Sequence, residues 1–435
     1  MLARLTGKSG GVDDLRIAEY PGPLGIHDAD TIAGNIAAVL VDQVVAGLTT
    51  GTTHARSPAG TGDAERIVFS GTFDAINAHF RARDWSDGLP IVPPTPQRVE
   101  QFLRCAAVAP DQEIAVLPSA NLRATARNIA ANAVMAGCVP AHMPILIAAA
   151  RALGDERCSL NNLGSSSGII PFVLVNGPIA RQLGIHAGGQ LVSRYPNTAI
   201  GRAIGLIVRN IAGFRPGASY MGTFGYPLAF ALAEPDDSPW PAFHAECGFA
   251  ADASAVTIGV TNNWGSSPAP YDLPERSGAL TALDLLCKEI PKKTRLFHFP
   301  ARGPNAEHVM ITLMLSPPVA RSLAAAGYSK QDVKRHVYEN CRMRLADFEW
   351  VLKFTNIFPT TARERVESGV FATEFLGPPD SLVKVLSSPD VLHVVVCGDP
   401  NRNRIMVLEG GHTRPTTKEV VLPADWNDVI AAMGS

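Results

Sequence analysis

The chemistry-bearing residues of this chain collect at the ends of its periodic segments. Cys138 lies in a Cys-Val-Pro turn between two helical patterns, and His142 follows in the first turn of the second helix. The partial positive charge at a helix N-terminus favours a thiolate, and a nearby imidazole can carry its proton. The pair therefore reads as nucleophile and proton carrier. A free cysteine is equally a small apolar residue where two helices touch, and that reading stands beside the first.

Further along, Asn176 ends an apolar run at Asn-Gly-Pro, the strand end where α/β sheets hold their ligands. Asn197 caps the next helix, and Arg202 lies in its second turn near glycine-rich loops, a setting that suits a carboxylate or phosphate. Glu234 closes another strand pattern, and His244 follows on a short helix. Glu234 is a candidate base and His244 a second proton carrier. Residues 84–96 contain too many prolines for a helix or a central strand, so they form a stiff loop presenting Trp85 and Asp87. Such a loop is also a plain connector with its tryptophan pinned in the core.

Three kinds of function fit this set. The first is an enzyme that cleaves or forms a carbon–heteroatom bond on a small anionic substrate. In it Cys138 is the nucleophile, His142 or His244 the proton carrier, and Asn176, Asn197, Arg202, Trp85 and Asp87 the binding residues. The second is a metal-dependent lyase or hydrolase in which His186 and His244, with Glu234 or Asp87, hold a divalent metal that activates water. The third is a non-catalytic scaffold subunit for a redox partner.

Several familiar sites are missing. There is no Walker loop, no H-E-x-x-H and no G-x-S-x-G, and His244-x-Glu246 lacks the Pro-Cys-x-x-Cys of a zinc deaminase. Gly164-Ser-Ser-Ser-Gly168 could cradle an anion, but it precedes a strand instead of following one, so no nucleotide cofactor motif is met.

The elements that must position these residues alternate strand, loop and helix. That pattern predicts an α/β fold of mixed or mostly parallel sheets with flanking helices, in two to three subdomains. We expect an N-terminal helix and linker over 1–62, an α/β subdomain over 63–220 and a second over 221–435. Short strands are expected at 66–69, 113–117, 169–175, 228–233, 255–261, 308–315 and 392–396, and a helix over 122–137. Residues 32–48 are broken by Asn35, Asp42 and Gln43, so they read as an amphipathic helix and not a membrane span.

The composition agrees with a packed globular chain. Of 435 residues, 46% are hydrophobic and 18% charged, with 38 basic and 40 acidic side chains and no basic block, which argues against nucleic acid as a partner. Seven scattered cysteines without a C-x-x-C pair suit reduced thiols, and the N-terminus lacks a signal-peptide core. A cytoplasmic homo-oligomer acting on a small molecule, with no membrane partner, is the expectation.

Five motifs in order carry a resemblance. They are Asp87-Gly-Leu-Pro-Ile-Val-Pro-Pro-Thr95, Asn132-Ala-Val-Met-Ala-Gly-Cys138-x-Pro140, Val175-Asn-Gly-Pro-Ile179, Ile200-Gly-Arg-Ala203, and Ser238-Pro-Trp240 with His244. Together they resemble a bacterial family associated with UGSC (seleno)proteins, which carry a Sec/Cys-Gly-Ser-Cys redox motif. The resemblance implies a cytosolic enzyme linked to thiol or selenol chemistry, a lyase or a thiol-linked reductase or transferase. This chain has no Cys-Gly-Ser-Cys of its own, so a redox partner would be a separate protein. It also carries His186-Ala-Gly-Gly where the family pattern leads one to expect a small polar stretch.

Overall fold

The computed structural model describes residues 15–22, 27–50, 67–118, 120–164, 168–225, 229–269, 271–293, 310–354, 360–410 and 413–433. The chain opens with helix α1 (Ala29–Thr49), then α2 (Phe73–Ala82) and α3 (Pro96–Leu103). A hairpin, β1 (Glu113–Leu117) and β2 (Leu122–Thr125), leads to α4 (Ala126–Ala136) and α5 (Met143–Leu153). Next come β3 (Ile170–Asn176), α6 (Pro178–Gln182), α7 (Asn197–Asn210), β4 (Phe230–Ala233), α8 (Phe243–Glu246), β5 (Ala255–Thr261) and β6 (Ser266–Pro268). Then follow α9 (Gly278–Lys293), β7 (Ile311–Leu315), α10 (Pro317–Ala325), α11 (Lys330–Asn340), β8 (Arg342–Arg344), α12 (Leu345–Phe354), α13 (Ala362–Glu367) and β9 (Leu382–Lys384). The last elements are β10 (Leu392–Val396), β11 (Arg404–Glu409), β12 (Thr416–Glu419) and α14 (Trp426–Met433).

Local chemistry sets many of these starts. Thr95 caps α3 ahead of Pro96, Thr125 and Asn128 form a reciprocal capping box on α4, and Ser329 with Asp332 does the same for α11. The capping box at Thr125 also explains why α4 begins at Ala126 and not at 122 as expected. Residues 122–125 are already paired antiparallel with β1. Residues 67–69 form no strand, and the starts of the strands expected at 228 and 308 lie outside the described residues.

Two four-stranded mixed sheets form the centre, in the orders β12-β5-β3-β4 and β10-β7-β11-β6; two further sheets are antiparallel pairs. In the first large sheet β3 runs parallel to β4 and antiparallel to β5, which pairs antiparallel with β12. In the second, β7 runs parallel to β10 and antiparallel to β11, which pairs antiparallel with β6. The two have the same topology. Each arises from one unit, α5-β3-α6-α7-β4-β5-β6 and α9-β7-α10-α11-β10-β11-β12, and each unit gives its last strand to the other's sheet.

Details repeat as well as topology. Pro178-Ile-Ala-Arg-Gln-Leu183 starts the helix after β3, and Pro318-Val-Ala-Arg-Ser-Leu323 lies at the same place after β7. Arg181 pairs with Asp236 just beyond β4 at 2.9 Å, while Arg321 donates to Pro400 O just beyond β10 at 3.3 Å. The two units are internal structural repeats. They also show that the boundary expected at 220 cuts through one sheet, because β3 hydrogen-bonds to β4 and β5 across it.

Strand alternation assigns each face of the sheets. Val173 and Val175 point into a core shared with α4, α5 and α7, whereas Phe172 and Leu174 meet Met314, Val395 and Leu408 of the other sheet. Leu313, Leu315, Val394 and Val396 face a third core with α9 and α11. The result is four layers, helices, sheet, sheet and helices. Gly177 closes β3 at φ +85°, and a Cβ there would stand 2.1 Å from Ala253 O. Gly177→Ala is therefore expected to destabilise by about 2–4 kcal/mol, lowering the urea midpoint at an unchanged slope.

The N-terminal helix stands apart. It is 21 residues long, and an 18-residue stretch within it has a mean hydropathy of 1.6 with none of that stretch buried, enough by length and composition to cross a membrane. Arg16 donates to Gly47 O, and Glu19 N donates to Gln43, so residues 15–20 run along one side of it.

Candidate functional site

Four separated residues meet at the start of α7. Cys138, in the turn after α4, donates its S–H to Ala199 O at 3.4 Å. His142 lies in the short 3-10 turn Pro140–His142, its ring 6.1 Å from that of Tyr195. Cys138 is 9% exposed and His142 1%. Burial pushes the Cys138 thiol far up, and the Arg202 guanidinium opposes this in part. Burial also holds His142 down at about 4.

The resting pair is therefore a neutral thiol and a neutral imidazole. Val139 N donates to His142 Nδ1 at 3.3 Å, which places the imidazole proton on Nε2. His142 thus offers a donor to whatever approaches it. The helix-terminus field expected to stabilise a thiolate is outweighed by the loss of water around the sulfur.

Asp87 and Arg202, both expected to bind substrate, bind each other with two hydrogen bonds of 2.8 and 2.9 Å. Arg202 also donates to Pro90 O at 2.9 Å, and one face along the same helix Arg209 pairs with Asp84. Asn210 donates to Trp85 O, and Asn77 donates to and accepts from the Ile91 backbone. The proline-rich loop is thus fastened to α7 along its length. Trp85 packs edge-on against Phe80 and His79 as part of that fastening.

Asn197 is fully buried. Its side chain accepts from His186 N and donates to the carbonyls of His186 and Ala231, which holds the 184–196 loop to β4. His186 Nε2 in turn lies 2.9 Å from Tyr195 O.

Glu234 belongs to a different centre. It accepts from Asn176 Nδ2 at 3.0 Å, Phe243 N at 2.6 Å and Val396 N at 3.0 Å, with the Lys330 ammonium at 3.6 Å. Lys330 and Lys334 both pair with Glu246, at 2.8 and 2.9 Å. Burial works against the Glu246 carboxylate, yet the two lysines hold it below its usual range. Close by, burial and Lys334 hold His393 down at about 4. His244 is 1% exposed with neither ring nitrogen hydrogen-bonded, and Asn176 Oδ1 is likewise without a donor.

The structure thus brings Cys138, His142 and Arg202 together and adds Tyr195. It places Asn176, Glu234 and the short helix of His244 at the joint between the two sheets. Among the described residues no three His, Cys, Asp or Glu side chains, His186 and His244 included, converge on one point. The Gly164–Gly168 loop lies largely outside the described residues. Sequence reasoning missed Tyr195, Lys330, Lys334 and His393, since a lysine at a capped helix start looks solvated until the tertiary structure covers it. The chain matches no family model, no curated protein and no solved structure.

Proposed function

We propose that this chain is a cytoplasmic enzyme that cleaves or forms a carbon–heteroatom bond on a small anionic substrate, with Cys138 as nucleophile. The meeting of Cys138, His142, Tyr195 and Arg202, drawn from three separate segments, is the observation that supports it. In the forward step the sulfur–carbon bond forms as the carbon–heteroatom bond breaks. The leaving atom takes the thiol's proton, with the Nε2–H of His142 donating a hydrogen bond to it as the bond breaks. Water then releases the fragment from sulfur and restores the thiol. All seven cysteines are free, in keeping with a reducing compartment.

A second reading, a scaffold subunit for a thiol or selenol redox partner, draws on one observation: Asn197, Arg202 and Asp87 are all engaged in internal hydrogen bonds. Iodoacetate and iodoacetamide separate the two. An anion-binding nucleophile gives Cys138 an iodoacetate-to-iodoacetamide rate ratio about tenfold above that of exposed Cys247, read by peptide mass. A ratio equal to that of Cys247, or labelling only on unfolding, leaves the scaffold.

A further inference from the structure

We infer that Tyr195 is the gate of the Cys138 site and the first side chain its substrate meets. This deepens the proposed function and relies on it for the existence of a substrate, while the gate itself follows from geometry. Cys138 and His142 are at least nine-tenths buried, so neither is reached directly from solvent. Tyr195 is 54% exposed, yet its ring lies 6.1 Å from His142 at a tilt of 47°. Its phenol is raised by partial burial and by the charge a Cys138 thiolate would carry. One side of this residue faces water and the other faces the reactive pair.

The backbone that carries the ring is held. His186 Nε2 lies 2.9 Å from Tyr195 O, Thr198 N donates to Arg194 O, and the buried Asn197 side chain ties the loop to β4. The phenol hydroxyl, by contrast, has no hydrogen-bond partner among the described residues. Rotating the side chain breaks no bond, whereas moving the loop breaks several. The gate is therefore one side chain wide, and it opens by rotation on the nanosecond scale typical of exposed side chains.

That width and that chemistry define the class of substrate. The opening admits a compact molecule, and a phenol that stays protonated at neutral pH presents a donor to an oxygen of an anion such as a carboxylate. On entry the substrate exchanges water for the Tyr195 hydroxyl, with His142 Nε2–H the next donor inward. A compact carboxylate with an electrophilic carbon near its charged end fits this path.

Labelling of Cys138 with iodoacetamide in the full chain tests the gate. Tyr195→Ala should raise the rate at least tenfold while fully buried Cys158 stays at its wild-type rate, and Tyr195→Phe, which keeps the ring, should leave Cys138 unchanged. An unchanged Cys138 rate in Tyr195→Ala, or a parallel rise at Cys158, overturns the gate. The unaltered protein gives a second measurement should the alanine variant fail to fold. Relative to exposed Cys247, Cys138 should discriminate against a bulky N-benzylmaleimide compared with N-ethylmaleimide by tenfold or more, and equal relative rates overturn the inference. Failure of the catalytic reading looks different: the gate variants behave as stated, but Cys138 shows no preference for iodoacetate.

Discussion

Between pH 6.5 and about 4 the protein should lose stability steeply, by about 3 kcal/mol for each of two histidines, buried His142 and half-buried His393. His142 and His393 are both held near 4 in the folded chain, from an ordinary value of 6.5. Above pH 6.5 both are neutral in either state and the stability is fully present. As the pH falls below 6.5 the unfolded chain binds protons that the folded chain refuses, so folding weakens until the folded imidazoles titrate near 4. Ordinary carboxylates titrate mostly below pH 5, so the interval from 6.5 to 5 isolates the histidines. Urea midpoints across that interval should fall with a slope near two protons, and His142→Gln with His393→Gln should flatten it. A wild-type profile already flat from 6.5 to 5 would mean that both rings are hydrated.

The second large effect is expected at Glu234. Its carboxylate accepts from a side-chain amide and from two backbone N–H groups on different segments, and it faces a buried ammonium. Glu234→Ala leaves those three donors without an acceptor and Lys330 with Glu246 as its remaining partner, a loss of about 3–5 kcal/mol by analogy with other buried ion pairs. Glu234→Gln keeps the shape and should cost less. Glu234→Leu combined with Lys330→Met should recover much of the loss, since it removes both charges together. Thermal unfolding of the four proteins decides this, and a double variant as unstable as Glu234→Ala would show that the carboxylate acts through its backbone donors alone.

These two centres differ in how far the sequence revealed them. Cys138, His142 and Arg202 were legible because turn and cap signals are local, and the structure does gather them. Their protonation was not legible. The helix-terminus argument favours a thiolate, and only tertiary packing shows that desolvation wins. Glu234 looked like a free base at a strand end, yet three of its four contacts come from residues far along the chain. The α/β alternation gave the fold class, but the repeat stayed hidden because its two copies share little beyond a Pro-x-Ala-Arg-x-Leu helix start.

The exchanged strands also set the order in which this chain can be completed. β5 is bordered by β3 on one side and needs β12 on the other, and their buried Thr257 and Thr417 hydroxyls touch across 160 residues of sequence. A ribosome adding about 5–20 residues per second takes roughly ten to thirty seconds to cover that gap. Throughout that interval the first sheet has an unpaired edge strand whose seven residues are all buried in the finished fold, the kind of surface on which nascent chains associate. Synthesis of this protein therefore passes through a sticky half-finished stage, and chaperone occupancy during translation is where the cost of its interlocked design falls.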